Sequence, residues 1–159
     1  MRKAAAQSGE LRRLSIMVDY LFGRGVSRAL PKEGVRLAYS RRSGRVKLAF
    51  HGEDLIATVK PNGAFALTMY GARVLSKSPR FRDNFVEVEP DAEEFVRGGK
   101  SVFSKFVRSA GKNVYPRSEV VVVGRGRKVL GVGISVMNGK HMALFKSGVA
   151  VKVRAGLER

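Results

Sequence analysis

Leu11, Leu14, Val18 and Leu21 recur at three- and four-residue intervals in SGELRRLSIMVDYLF, residues 8–22. That spacing lays one apolar stripe along a helix and predicts an amphipathic helix packed on a sheet. Ser8 is the candidate N-cap and Gly23 the stop. A short helical turn is expected over Val26–Leu30, ended by Pro31. The period then changes to two. Val35, Leu37 and Tyr39 alternate with Arg36, Ala38 and Ser40, and Arg41-Arg42-Ser43-Gly44 reads as a hairpin connection. Val46, Leu48 and Phe50 resume the alternation. His51-Gly52-Glu53-Asp54 is a turn before a strand over 55–60, and Pro61-Asn62-Gly63 is a turn before a strand over 64–69. These runs predict an antiparallel meander of four strands. Residues 71–77 suit a short helix that stops before Ser78-Pro79.

The pattern restarts over Pro79–Asn84, which predicts two domains, 1–80 and 83–158. Phe85, Val86 and Val88 mark a strand, and Asp91–Arg97 a short helix with Asp91 as N-cap and Gly98-Gly99 as its close. Strands are expected over 102–107, 119–123, 129–136 and 149–154. Gly-Arg-Gly-Arg at 124–127 is a turn, and 138–145 a short helix or loop. The fold class is α+β: a helix on a four-stranded antiparallel sheet, then a mostly β domain.

Charge changes the picture. Of 159 residues, 31 are Lys or Arg and 13 are Asp or Glu, a formal net charge of +18. Residues 1–82 hold 17 cations and 5 anions, residues 83–159 hold 14 and 8, so both halves are basic. Such an excess favours polyanions, because Lys and Arg release the counterions condensed on phosphates. The chain has no Cys and two His, His51 and His141, which leaves no material for a thiolate zinc site or a Cys nucleophile. No cofactor is expected. No segment approaches the roughly 18 apolar residues of a membrane span, and Gln7, Glu10, Arg12 and Arg13 interrupt what a signal peptide would need as an apolar core. A cytoplasmic protein with no membrane partner is the expectation.

The candidate chemistry is mostly basic. Asp91, Glu93 and Glu94 read as a solvated helix start rather than a catalytic pair. His51 and His141 lack an Asp or Ser at a recognisable spacing. GRGRK at 124–128 joins two strands, whereas a nucleotide loop runs from strand to helix; FGRG at 22–25 follows a helix and is also in the wrong order. Arg41, Arg42, Arg45 and Lys47, by contrast, crowd one hairpin tip, an exposed element suited to phosphate. Lys100 and Lys105 flank a Gly-Gly loop with Phe103 and Phe106 beside it. Backbone amides there are expected to approach phosphate closely, with the lysines adding charge. On one continuous strand Phe103 and Lys105 would share a face, opposite Val102, Ser104 and Phe106.

Four stretches, VEVEPDAEEFVRGGKSVFSKFV at 86–107, SEVVVV at 118–123, KVLGVGISVM at 128–137 and FKSGVAVKVR at 145–154, resemble a PUA domain, a small RNA-binding pseudo-barrel. The SKFV form is most similar to the archaeal tRNA-guanine transglycosylases. DYLFGRG at 19–25, YSRRSGRVKLAF at 39–50 and DLIATVKPNGAFALTMYGARVL at 54–75 resemble the small α+β domain that precedes the PUA domain in those enzymes. Their catalytic (β/α)8 barrel and zinc ligands have no counterpart in these residues. The resemblance implies binding of RNA, tRNA in particular, without catalysis by this chain, either alone or as the recognition subunit of a separately encoded catalytic chain. The second domain is expected to be a closed or nearly closed barrel, which hides strand edges. Carried over by position, the RNA surface is Gly98, Gly99, Lys100, Ser101, Phe103 and Lys105, with Phe145, Lys146, Gly148 and Lys152. Val102 and Val149 lie in the same stretches but suit a core.

Overall fold

The computed structural model describes residues 2–158, which form two compact units dividing between Arg80 and Phe81. In the first unit, strands β1 (Arg2–Ala5), β2 (Val35–Tyr39), β3 (Val46–His51), β4 (Asp54–Val59) and β5 (Phe65–Leu67) make one antiparallel sheet in that order. The sheet therefore has five strands, not four. The added β1 pairs with β2 from Arg2 opposite Tyr39 to Ala5 opposite Arg36. Arg-Lys-Ala-Ala carries no alternation, and the ladder to β2 orders it rather than its own side-chain pattern.

Helix α1 (Ser8–Phe22) follows. Its N-cap is Gln7, one residue before the Ser8 expected, because Glu10 in the first turn turns back to accept the Gln7 amide at 2.8 Å. Leu14, Val18 and Phe22 are buried, and the Phe22 ring meets Phe65 edge-on at 6.3 Å between centroids. After Gly23 the chain makes a 3-10 turn over Val26–Ala29, held by Asp19, whose carboxylate accepts the Ser27 amide at 2.7 Å. Burial works against the Asp19 charge, but amides of Ser27 and Gly25 outweigh it and hold its carboxyl below the usual range. Helix α2 (Met69–Leu75) starts two residues earlier than expected, since Thr68 caps it by accepting the Gly71 amide at 3.0 Å. Gly71 lies against the backbone of Ile56, where a Cβ would overlap the Ile56 carbonyl.

In the second unit, β6 (Phe85–Val88), β7 (Val102–Phe103), β8 (Val107–Ala110), β9 (Glu119–Val123), β10 (Val129–Ser135) and β11 (Val149–Gly156) form a sheet in the order β7-β11-β10-β9-β6-β8. Only the β6–β9 pairing is parallel. The single strand expected over 102–107 is two. A 3-10 turn at Ser104–Phe106 breaks it and sends its halves to opposite edges of the sheet, which curls the sheet into a nearly closed pseudo-barrel. Ser104 is buried with Val102 while Phe103 and Lys105 are exposed, so the alternation expected for 102–107 holds as far as Phe106 and breaks at the buried Val107. Helix α3 (Pro90–Arg97) has Glu89 as N-cap rather than Asp91, because Pro90 is preorganised for the first helical position. Helix α4 (Gly139–Met142) is capped by Asn138, whose side-chain oxygen accepts the Lys140 amide at 3.0 Å.

Val88, Val96, Val102, Val120, Val122, Leu130, Met142 and Val151 fill the barrel. Burying each contributes about 1.5–3 kcal/mol over leaving it in water. A bulge on β11 sets Ala155 opposite Val132 and Val153 opposite Gly133, with Arg154 between them. Its guanidinium reaches across β10 to grip the buried Glu119 carboxylate of β9 in a two-pronged pair. Gly133 lies so close to the β11 backbone that a Cβ would meet the Lys152 carbonyl. The GRGRK segment is a strand connection, as its order implies, and Glu93 of α3 accepts the Arg125 amide there at 2.7 Å.

Candidate nucleic-acid interface

The β7–β11 pairing brings two distant stretches together. Phe103 stands opposite Val149 and Val102 opposite Val151. The loop after α3 and the segment leading into β11 thereby become one surface. On it Lys100, Phe103, Lys105, Phe145, Lys146, Gly148 and Lys152 are all exposed, with Phe103 at 47% and Phe145 at 53%. Ser101 is half-buried. Val102 is core, 1% exposed, and Val149 is half-buried. Lys105 carries its ammonium 4.9 Å from the centroid of the Phe106 ring.

The loop differs from expectation in its amides. Gly98 donates to the Glu94 carbonyl at 3.1 Å, Gly99 to Val96 at 2.9 Å and Lys100 to Phe95 at 2.9 Å. Gly99 has φ +82°, the left-handed conformation that ends a helix by folding the chain back over its last carbonyls. These three N–H groups satisfy α3 and are not available to a phosphate, so Gly98 and Gly99 shape the loop rather than contact anions. The cations that this loop exposes are the side chains of Lys100 and Lys105.

Exposed apolar side chains add to the surface without having been singled out by pattern. Leu144 is 74% exposed beside Phe145, Val136 is 43% exposed where its amide meets the Ala150 carbonyl of β11, and Phe95 is 57% exposed on α3. Val136 continues the period-2 run of Leu130, Val132 and Ile134, and Phe95 lies three residues after Ala92 on α3, so period alone reads both as core and only their exposure sets them apart.

In the first unit Arg41, Arg42 and Arg45 are all exposed at the β2–β3 tip. The tip is tied: Ser40 donates to the Arg45 carbonyl and Gly44 to the Ser40 carbonyl, both at 2.9 Å, with Gly44 at φ +65°. Beneath it the Tyr39 hydroxyl donates a hydrogen bond to the Glu10 carboxylate. Burial first, then the bond to Glu10 and its charge, push the Tyr39 phenol up to about 12. The same bond, with the Gln7 amide, holds the Glu10 carboxyl below its usual range.

His51 ends β3 and shares a hydrogen bond with the Tyr70 hydroxyl, Nδ1 to Oη 2.5 Å, their rings stacked at 6.2 Å. His141 is exposed on α4. Among the described residues no three His, Asp or Glu side chains gather as a metal cluster would, and no helix is long and apolar enough to cross a membrane.

A strand order closing on itself through a 3-10 turn in one unit, and a five-stranded sheet with its own helices in the other, define a two-unit α+β architecture whose second unit is a small pseudo-barrel. Residues 84–157 match the PUA domain, and residues 12–80 match the patch-forming domain C2 of tRNA-guanine transglycosylase. A protein named tRNA-guanine(15) transglycosylase from Thermococcus onnurineus is 38% identical over 144 residues, 90% of this chain and 24% of that protein. The chain thus spans about a quarter of the length of the curated relatives it matches. Among solved structures, a hypothetical protein of Pyrococcus horikoshii superposes with a TM-score of 0.75 at 20% identity, covering 99% of this chain and 96% of that one. A conserved PUA domain protein of Thermoplasma acidophilum does so with 0.63 at 17% identity, covering 98% and 93%. These two likenesses concern the fold.

Proposed function

We propose that this chain binds structured RNA, tRNA in particular, through the surface made by the α3–β7 loop and the segment entering β11. The observation that carries the reading is the β7–β11 pairing, which gathers Lys100, Lys105, Lys146 and Lys152 around exposed Phe103 and Phe145. Lysines on a fixed frame position phosphates, and exposed rings offer stacking faces to unpaired bases. The net charge of +18 supplies the long-range attraction. The chain recognises RNA and leaves chemistry on it to another protein; a cytoplasmic tRNA-modifying enzyme with a separately encoded catalytic subunit is the setting that the transglycosylase relatives favour.

The test is a binding titration of tRNA and of random single-stranded RNA at two salt concentrations. About five phosphate contacts give a log–log salt slope of roughly −4, so a fourfold rise in salt should weaken binding by on the order of 10² to 10³. Lys100→Glu with Lys105→Glu should weaken tRNA binding more than random-strand binding. Equal losses for both RNAs would remove this loop from the specific surface, and a flat salt response would remove the electrostatic basis. Co-purification of a larger catalytic chain with the tagged protein would support the subunit setting; a tagged protein that binds tRNA but brings down no such chain would favour a stand-alone RNA binder.

A further inference from the structure

The first unit contains a cleft of about 900 Å³ between α1, the β2–β3 tip and the β4–β5 turn. That volume is at the upper end of the ~300–1,000 Å³ typical of small-ligand sites. Its walls have two characters. Leu14, Met17, Leu37, Val46 and Val59 give it an apolar floor. Arg13 from the helix, Arg42, Arg45 and Lys47 from one turn and Lys60 from the other bring five cations to it. Arg41, at the same tip, is not part of the lining. The carboxylate present, Glu10, has both oxygens engaged, one by the Gln7 amide and one by the Tyr39 hydroxyl. The tie to Glu10 also fixes the Tyr39 ring as a wall of the cleft. An excess of cations over an apolar floor matches a ligand with one anionic and one flat apolar part.

We propose that this cleft binds an unpaired nucleotide of RNA, its base laid on the apolar floor beside Tyr39 and its phosphates held by the cations of the two turns. Inorganic phosphate would satisfy the cations and leave the floor unused. A duplex keeps its bases stacked inside and offers the cleft only backbone, whereas an unpaired base can be splayed into it. The proposal rests on the RNA-binding reading above but uses a different surface in a different unit.

The experiment places a ¹³C-methyl label on methionine in the full chain and follows the Met17 methyl by NMR. Three probes are titrated: a 5′-phosphorylated uridine trinucleotide, a short blunt RNA duplex and inorganic phosphate. The expected result is a saturable shift of Met17 with the trinucleotide alone. Lys47→Glu with Lys60→Glu should weaken that binding by about five- to tenfold, while unchanged Met69, Met137 and Met142 methyls report that both units remain folded. Lys100→Glu with Lys105→Glu should leave it intact, so loss of the barrel surface and loss of the cleft read out separately. A Met17 methyl that does not move with the trinucleotide overturns the proposal. So does one that moves equally with inorganic phosphate or duplex, which would make the cleft a phosphate site only.

Discussion

The amide of Ser104 donates to the carbonyl of Gly148 at 2.9 Å. This bond fastens the turn after β7 to the residue before β11, so the two halves of the proposed RNA surface form one rigid piece. Gly148 reaches the bond with φ +88°, a conformation that costs a side-chain-bearing residue roughly 1 kcal/mol or more.

Phe103→Ser and Phe145→Ser should each leave stability within about 0.5 kcal/mol, because both rings face solvent, and each should weaken tRNA binding. Since one framework presents both rings, the double variant should lose less or more than the sum of the singles. A double-mutant cycle in binding free energy, with thermal melts beside it, checks this; strictly additive losses would mean that the rings act independently.

Gly133→Ala should open the barrel between β10 and β11. The new Cβ would press on the Lys152 carbonyl and the Val153 Cα of β11, and overpacking of this kind costs about 1–3 kcal/mol. Amide hydrogen exchange should show faster exchange along β10 and β11, with the first unit unchanged. An unperturbed melting temperature would show that the strands shift apart without cost.

Glu119→Ala removes a carboxylate only 7% exposed and leaves Arg154 without that grip across β10. Arg154 is itself about a third exposed, so water recovers part of its solvation, and a loss of about 1–2 kcal/mol is expected rather than the larger cost of a fully buried orphan charge. Denaturant titration of wild type, Glu119→Ala and the charge-free mimic Glu119→Gln measures it; Gln should recover part of the loss through its amide oxygen.

Tyr39 and Glu10 set opposite ends of a pH profile. The Tyr39 phenol titrates near 12 when folded against 10.0 ordinarily, so its contribution is complete below pH 10 and is lost as pH rises toward 12. The Glu10 carboxyl is lowered from 4.5, so its contribution is present above pH 4.5 and is lost as pH falls through the lowered value. Tyr39→Phe should remove the late phenolate step from an ultraviolet absorbance titration and flatten the alkaline limb. A late step that survives in the variant would assign it to another tyrosine.

Much of the architecture is legible in the sequence because side-chain period reports burial directly: α1 from Leu14 and Val18, the β2–β3 hairpin from Val35, Leu37, Val46 and Leu48. What period misses is order imposed from outside. Arg2–Ala5 becomes a strand only because β2 offers a ladder. Residues 102–107 alternate well enough to pass for one strand, yet the barrel needs its first and last edges joined, and the buried turn at Ser104 supplies the corner. The glycines at 98 and 99 were legible as a helix stop and as a phosphate cradle at once. The two roles compete for the same N–H groups, and the α3 carbonyls, always present, take them. The cleft is the least legible feature, since Arg13, Lys47 and Lys60 come from three separate stretches that mean little until the sheet brings them together.

The occupied amides of Gly98, Gly99 and Lys100 have a consequence for speed. A loop already folded against its own helix has no search left to make when a polyanion arrives; only the lysine side chains need to settle. Encounter should then be governed by diffusion and electrostatic steering, with association rate constants that climb steeply as salt is withdrawn, toward the 10⁸–10⁹ M⁻¹s⁻¹ that attraction between opposite charges allows. Discrimination between RNAs would lie in how long each one stays.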